Sequence, residues 1–281
     1  VDELGIDTVS HVTEKGLVLE DVVGGMMVMR LEPKEIAQDV QYSNDVLVSN
    51  AAMVDAPIVN PGKLEELTLT IDGPLTERHL FNDNRQSLTA KDGAFRFVAK
   101  RLKADALPKA ALPLQGAPED VQQWLKPSMF VQSDNPKIVA KAKEIVGDEK
   151  DAFQAASKLC TWVHENVRST FSARLSNALE VLDNPEGDCT EHSVLFVGLA
   201  RAAGIPAREV AGLVYTEAPK PGFYFHQWAK VWVGAWIDVD PTFNQPLADV
   251  THIKLSEGDL LQQTQLVPII GQIRVKVVET K

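Results

Sequence analysis

The sequence predicts an α+β protein with a β-rich N-terminal domain and a second domain of helices followed by strands. Three observations lead to this prediction. The first hundred residues contain strand-like alternation, a proline-rich segment follows, and the remaining chain shows helical spacing before further strand-like runs. The composition agrees, since 281 residues with 44% hydrophobic and 24% charged residues are typical of a globular chain.

The first part of the chain has the pattern of half-buried strands. Residues 67–71 alternate apolar and polar side chains before a turn, and residues 95–99 do the same after one. Gly24 and Gly25 interrupt the apolar stretch 17–31, which predicts a hairpin with the glycine pair at its turn. We therefore expect an antiparallel β domain here.

A proline-rich segment marks the end of this domain. Pro108, Pro113 and Pro118 recur there among Ala and Leu, which disfavours a helix or a central strand. The predicted parts are therefore an N-terminal β domain over residues 1–107, a linker over 108–118 and a second domain over 119–281.

Two helices are predicted after the linker. Asn135 and Pro136 supply an N-cap and a first-turn proline, and Gly147 supplies a stop. The next stretch places five apolar side chains on one helical stripe, namely Phe153, Ala156, Cys160, Val163 and Val167. Because Cys160 lies on this stripe, we interpret it as a small buried hydrophobic residue and not as a nucleophile.

Cys189 stands at the start of a third predicted helix. Asp188 is an N-cap residue and Glu191 follows it by three positions, as in a capping box. The helical pattern continues to about residue 203, so Cys189 lies in the first turn. Unpaired backbone N–H groups and the helix dipole stabilise a thiolate there, and Gly187 allows a sharp turn that directs the sulfur towards a cleft. These features indicate a nucleophile.

A nucleophilic cysteine needs a base, and the base needs an orienting acceptor. His226 lies in a strand-like run downstream of the helix, and Asp240 ends the next such run. Cys189, His226 and Asp240 are therefore the candidate catalytic residues. Asp238, two positions before Asp240, is the competing acid.

The register of the hairpin that carries His226 and Asp240 tests this candidate triad. Gly234 and Ala235 are typical of a two-residue turn. That turn would direct His226 and Asp240 to opposite faces of the sheet, and it would do the same with Asp238. The triad therefore predicts a three-residue loop or a bulge in this hairpin.

Four segments of the second domain resemble the core of the transglutaminase-like superfamily. They are Gly-Asp-Cys-Thr-Glu-His-Ser at 187–193, Arg-Ala-Ala-Gly-Ile-Pro-Ala-Arg at 201–208, His-Gln-Trp-Ala at 226–229 and Trp-Ile-Asp-Val-Asp-Pro-Thr at 236–242. The motifs are specific in combination, because they occur in order at the usual distances. The resemblance covers about residues 118–259 and implies a papain-like core, with the cysteine helix packed on an antiparallel sheet.

The resemblance also implies the roles of the candidate residues. Cys189 would be the nucleophile, His226 the base and Asp240 the third member, because the Asp-Pro-Thr end of the last motif falls on Asp240 and not on Asp238. The superfamily includes protein-crosslinking transglutaminases, and its bacterial members mostly resemble thiol peptidases or amidases.

We therefore expect a cysteine protease, amidase or acyltransferase that works through a thioester acyl-enzyme, with hydrolysis favoured over crosslinking. The alternative is a non-catalytic module on the same fold that binds a peptide or a protein.

Further residues are expected to border the cleft or to support the triad, namely Asp188, His192, Trp228 and Asp238. His192 lies one turn after the cysteine, where it would border the cleft or simply be exposed. Trp228 lies two positions from His226 and is expected to share its face of the sheet. We interpret His252 as a structural residue or as part of the cleft rim.

Cys160 and His164, together with Cys189 and His192, have a spacing that could suggest a zinc site. Cys160 belongs to a core stripe, however, and the two pairs lie on separate predicted helices. We therefore expect no metal and no other cofactor.

The charge and hydropathy of the chain argue against two kinds of interaction, namely nucleic-acid binding and a membrane span. With 28 basic and 39 acidic residues the net charge is −11, which is atypical of a nucleic-acid-binding protein. No apolar run approaches the roughly 20 residues that span a bilayer. A protein or peptide amide is the expected substrate. The chain begins at Val1, so a removed leader would indicate a periplasmic or secreted protein, and otherwise we expect a cytoplasmic one.

Overall fold

Helices and sheets are mixed along the chain in the computed structural model, which describes residues 8–23, 27–34, 50–114, 116–170 and 176–281. The strands are β1 (Thr8–Val12), β2 (Val18–Val23), β3 (Met27–Arg30), β4 (Ala52–Met53), β5 (Glu66–Asp72), β6 (Gln86–Lys91), β7 (Ala94–Lys100), β8 (Arg168–Ser169), β9 (Glu186–Gly187), β10 (Ala207–Thr216), β11 (Gly222–Trp232), β12 (Trp236–Val239), β13 (Ile253–Glu257) and β14 (Arg274–Thr280). The α-helices are α1 (Glu119–Gln122), α2 (Pro136–Val146), α3 (Ala152–Asn166), α4 (Ala178–Asp183), α5 (Cys189–Ala202) and α6 (Leu260–Gln263).

Three of the sheets are antiparallel. The sheet that carries the candidate site has the order β12-β11-β10-β13, and β4 adds to the edge of β11. A second sheet has the order β14-β5-β7-β6, and β1, β2 and β3 form a third. Strands β8 and β9 form a two-residue parallel pair that joins the end of α3 to the approach to α5. The predicted α+β class, with a strand-rich N-terminal region, is confirmed.

The second sheet contains strands from both sides of the proline-rich segment. Strand β14 lies at the C-terminal end of the chain, yet it pairs with β5 of the N-terminal region, with Val275 opposite Ile71. The two regions therefore share a sheet. The boundaries 1–107, 108–118 and 119–281 stay a prediction.

The hairpin predicted around the glycine pair falls partly outside the described residues. Strands β2 and β3 pair antiparallel, with Val22 opposite Val28. Gly24 and Gly25 themselves lie outside the described residues.

The helices of the second domain begin and end close to where their caps predict. The Asn135 side chain accepts a hydrogen bond from the Lys137 N–H, Pro136 opens α2, and Gly147 follows its last residue. Helix α5 begins at Cys189, as predicted, and ends one residue before the predicted end. Local capping signals were sufficient here because they act within one helical turn.

Helix α5 lies at the centre of the main hydrophobic core. Its residues Val194–Leu199 are buried and pack with α2, α3 and α4 and with one side of β10, β11 and β12. Other core members come from the sheet, including Ala229, Val231 and Ile237. The burial of this helix fixes the position of its first residue relative to the strands that carry His226 and Asp240. Within the described residues, no helix has both the length and the apolar character to cross a membrane.

Candidate active site

Cys189 is the first residue of α5, and its thiol is half-buried. The Asp188 carboxylate accepts a hydrogen bond from the Thr190 N–H at 2.8 Å, and the Glu191 carboxylate accepts one from the Asp188 N–H at 3.0 Å. The predicted capping box is therefore present. Gly187 has φ of 156°, and a Cβ there would lie 2.3 Å from Cγ of Glu191, so the turn before the cysteine requires glycine.

The hairpin between β11 and β12 contains the extra residue that the triad predicts. Trp232 pairs with Trp236, and the register continues to Ala229 opposite Val239. Three residues therefore form the loop, and the simple two-residue turn at Gly234 and Ala235 is wrong. Continued by one pair, this register puts residues 226 and 240 on one face of the sheet.

His226 and Asp240 are joined by a hydrogen bond. Nε2 of His226 lies 2.8 Å from Oδ2 of Asp240, and both side chains are buried. Burial alone would lower the pKa of His226, but attraction to Asp240 and Cys189 and hydrogen bonds to both outweigh it and raise that pKa to about 10. The imidazole is therefore protonated at neutral pH. It stacks on the ring of Phe243 at 5.0 Å.

Asp240 accepts hydrogen bonds at both carboxylate oxygens. Oδ1 receives the N–H groups of Thr242 at 2.7 Å and Phe243 at 3.1 Å. Oδ2 receives Nε2 of His226, and Nε2 of His252 lies 2.9 Å from the same oxygen. Burial would raise the pKa of Asp240, but the two histidines hold it well below its usual range. The carboxylate is therefore ionised and fixed in orientation.

His252 is the residue that the sequence analysis underestimated. It is fully buried, so it does not form the cleft rim, and its Nδ1 lies 3.2 Å from Oδ1 of Asp249. No motif marked His252 or Asp249, because their contact with Asp240 depends on how the loop after β12 folds back on the strand.

The His226, Asp240 and His252 donor atoms lie within 4.8 Å of one another, a spacing that a metal ion could use. Both histidine Nε2 atoms already lie at hydrogen-bond distance from Oδ2 of Asp240. Hydrogen bonds therefore account for this cluster.

Asp238 does not contact His226, so its interpretation as the competing acid is wrong. Its carboxylate accepts a hydrogen bond from Nε of Arg85 at 2.8 Å and lies 3.5 Å from Nζ of Lys254. Asp238 and Asp240 lie on the same face of the sheet, but Asp238 lies two residues earlier along β12, opposite Lys230, where it meets a different set of charges. The surrounding buried cluster consists of Asp83, Arg85, Lys230, Asp238, Lys254 and Glu257.

The remaining residues named from the sequence have defined positions. Trp228 is buried, its ring stacks on His226 at 6.1 Å, and it therefore shares the face of His226 as predicted. His192 is buried, not exposed, and its Nδ1 lies 2.7 Å from the Asp188 carbonyl oxygen. Burial lowers the pKa of His192.

Cys160 lies in the helix core, next to the backbone of Asp240. It is fully buried, and its S–H donates to the Asp240 carbonyl oxygen at 3.5 Å. Burial, with the nearby Asp240 charge, raises its pKa strongly. We therefore expect this thiol to be unreactive in the folded protein. His164 instead places Nδ1 3.0 Å from the Thr242 carbonyl oxygen.

A small cavity of about 20 Å³ lies beside the site and is lined by Thr190, Gln227 and Glu209. Thr190 follows Cys189 and Gln227 follows His226. Oε2 of Glu209 has no hydrogen-bond partner among the described residues, and burial raises the pKa of this carboxyl to about 7.

Known proteins share this core. Residues 139–241 match the family model of the transglutaminase-like superfamily. The matched segment contains Cys189, His226 and Asp240, and this part of the chain is similar to a transglutaminase-like core.

Two curated relatives and one solved structure extend the comparison. An uncharacterized protein of Haemophilus influenzae is 33% identical over 111 residues, which cover 37% of this chain and 30% of that protein. One of Mycobacterium leprae is 25% identical over 147 residues, covering 49% of this chain and 50% of that protein. The chain thus spans half or less of the length of these relatives. The crystal structure of a candidate cysteine protease of Cytophaga hutchinsonii has a TM-score of 0.51 at 18% identity, covers 78% of this chain and 84% of its own, and shows the same fold.

Proposed function

We propose that this protein is a cysteine-dependent amide or peptide hydrolase or acyltransferase, in which Cys189 is the nucleophile, His226 the base and Asp240 the acceptor that orients His226. The observation that carries this proposal is the 2.8 Å hydrogen bond between Nε2 of His226 and Oδ2 of Asp240, on a ring whose pKa the Asp240 carboxylate and the nearby Cys189 thiol raise. A thiol at a helix start, an imidazole and a buried carboxylate are the groups that nucleophilic acyl transfer needs.

The first half of the reaction forms a thioester. The Cys189 thiolate attacks the amide carbonyl carbon, and the carbonyl oxygen becomes an oxyanion. The C–N bond then breaks while the His226 imidazolium gives its proton to the leaving amine. The raised pKa of His226 supports this role, because a protonated ring is available at neutral pH.

The second half regenerates the thiolate. Water attacks the thioester carbonyl, His226 accepts a proton from the water, and the C–S bond breaks to release a carboxylic acid. An amine in place of water would give a new amide. We propose hydrolysis as the main outcome, because water needs no second binding site.

The oxyanion requires hydrogen-bond donors. The Cys189 backbone N–H lies in the first turn of α5, where N–H groups have no partner within the helix, and we propose it as one donor. A tryptophan upstream of the cysteine supplies the second donor in crosslinking relatives. Trp124 here packs beneath Arg208 and Trp162 beneath Lys141, so neither is proposed for that role.

Alkylation by iodoacetamide tests the proposal. We expect Cys189 to react at mildly acidic pH, below the ordinary thiol pKa of about 8.5, whereas Cys160 stays unmodified in the folded protein and serves as the internal control. His226→Ala should slow the reaction at pH 6 by about 100-fold or more, because the thiolate loses its imidazolium partner. Peptide mapping by mass spectrometry identifies the modified thiol.

The alternative is a non-catalytic module that binds a peptide or protein on this fold. It would contradict the proposal if Cys189 reacted only at alkaline pH and with the same rate in His226→Ala. An intact Cys189, His226 and Asp240 favours the enzyme over this alternative.

A further inference from the structure

His252 stands between two carboxylates. Its Nε2 lies 2.9 Å from Oδ2 of Asp240, and its Nδ1 lies 3.2 Å from Oδ1 of Asp249. An ionised carboxylate only accepts hydrogen bonds, and a neutral imidazole donates from one nitrogen only. Both contacts are therefore hydrogen bonds only when the ring carries two N–H groups, that is, when His252 is an imidazolium.

The surroundings of His252 favour this charged form. Burial would lower the pKa of His252, but its hydrogen bonds and attraction to Asp240 and Asp249 outweigh this effect and raise it. The other groups that face the ring are the His226 imidazole, 6.1 Å away between ring centres, and the Trp228 indole, which approaches edge-on at 5.2 Å.

Asp249 is itself fixed. Its Oδ1 accepts from the Thr251 N–H at 2.8 Å and from the Thr251 hydroxyl at 2.6 Å, and its Oδ2 accepts from Nε2 of Gln245 at 3.0 Å. The N-terminal region supports the same loop, since Nη1 of Arg85 donates to the His252 carbonyl oxygen at 2.7 Å. Asp249 therefore fixes the His252 ring, and Arg85 fixes the His252 backbone.

The hydrogen bonds of the Asp240 carboxylate indicate the role of His252. Among the residues that the structure describes, four donors occupy its carboxylate, and rotation of the carboxylate would break all four hydrogen bonds, including the one to His226. Of these donors, only His252 shares Oδ2 with His226. We propose that His252, held by Asp249, is a positioning residue that keeps Oδ2 of Asp240 directed at His226. This inference rests on the proposed function of Cys189, His226 and Asp240.

The pH profile of Cys189 alkylation distinguishes a positioning role of His252 from a purely electrostatic one. Without His252 the Asp240 carboxylate is free to turn away, the imidazolium of His226 loses support, and the alkylation of Cys189 requires a higher pH. A purely electrostatic role has the opposite sign, because removing the His252 cation would stabilise the nearby His226 cation and shift the acid limb downward. If His252 served only in packing, its removal would leave the acid limb of the alkylation profile unchanged.

The experiment measures the midpoint of the acid limb in three variants with iodoacetamide as the probe. We expect His252→Phe to shift it upward by about one pH unit or more, which slows alkylation at pH 6 by about tenfold. His252→Gln places an amide N–H near the position of Nε2, so it should restore part of the shift. His79→Gln is the matched control, because His79 is also buried but contacts the Gln265 carbonyl oxygen, and its profile should equal that of the wild type.

Two results would overturn the inference. One is an unchanged or downward-shifted acid limb in folded His252→Phe. The other, in the wild type and independent of any variant, is an NMR spectrum at pH 7 with one ring N–H on His252 in place of two. If the wild type itself has no acid-shifted reactivity at Cys189, the proposed function fails instead.

Discussion

The buried carboxyl of Glu209 should make the stability of this protein depend on pH in a defined direction. Its side chain on β10 is 3% exposed, and Oε2 has no hydrogen-bond partner among the described residues. Burial is the main cause that raises its pKa from 4.5 to about 7; attraction to Arg201 opposes the shift, and repulsion from Asp259 adds to it. The folded state therefore penalises the ionised form.

The direction and size of this pH effect follow from the difference between the Glu209 pKa in the folded chain and that in the unfolded chain. Below pH 4.5 the carboxyl is protonated in both the folded and the unfolded chain, so there is no penalty. As the pH rises towards 7, the unfolded chain ionises first and the free energy of unfolding falls. Above pH 7 the loss is complete. The difference between a pKa of 4.5 in the unfolded chain and about 7 in the folded one corresponds to about 3 kcal/mol.

Glu209→Gln removes the ionisation with little change in shape. Relative to the wild type, its free energy of unfolding should rise by about 3 kcal/mol between pH 4.5 and pH 8.5. Urea unfolding followed by tryptophan fluorescence at several pH values measures this difference, and the exposed Glu217→Gln is the control. A difference between wild type and Glu209→Gln that is constant with pH would refute the reasoning, because Glu209 would then ionise without penalty.

Three further predictions concern the support of the site. Arg85→Met leaves the buried Asp238 carboxylate without its closest cation, so urea unfolding should show a loss of about 3–5 kcal/mol, part of which a second change, Asp238→Leu, recovers. Cys160→Ala should cost about 1–2 kcal/mol through lost packing and leave the iodoacetamide reactivity of Cys189 unchanged; a large loss of reactivity would assign chemistry to the buried thiol. Gly187→Ala forces an unfavourable φ and a collision with the capping glutamate, so it should destabilise the protein by about 1–3 kcal/mol and slow Cys189 alkylation, and a neutral effect would show that the turn tolerates a side chain.

The parts of the site that local signals specify could be predicted from the sequence. Asp188, Glu191 and Gly187 define the helix start within one turn, so the position of Cys189 followed from them. The sequence also predicted a feature of the hairpin between β11 and β12. Residue parity required one extra residue between His226 and Asp240, and the three-residue loop supplies it.

The parts that depend on distant contacts could not be predicted. Asp238 and Asp240 are two positions apart and equivalent in residue parity, and only the family motif favoured Asp240. Arg85 distinguishes them, since it lies far away in the sequence and pairs with Asp238. His252 likewise carries no local signal, because its two carboxylate partners meet only when the loop after β12 folds. The pairing of β14 with β5 is long-range for the same reason.

The most direct test of the proposed chemistry is to trap the acyl-enzyme. The protein is incubated briefly with an activated ester, p-nitrophenyl acetate, quenched in acid and examined by peptide mapping. We predict one acetyl group, on Cys189, that hydroxylamine removes and that is absent in Cys189→Ser, with an added amine competing with water for its release. Acetylation of other residues only, or equal labelling of Cys189 in the wild type and in His226→Ala, would contradict the account.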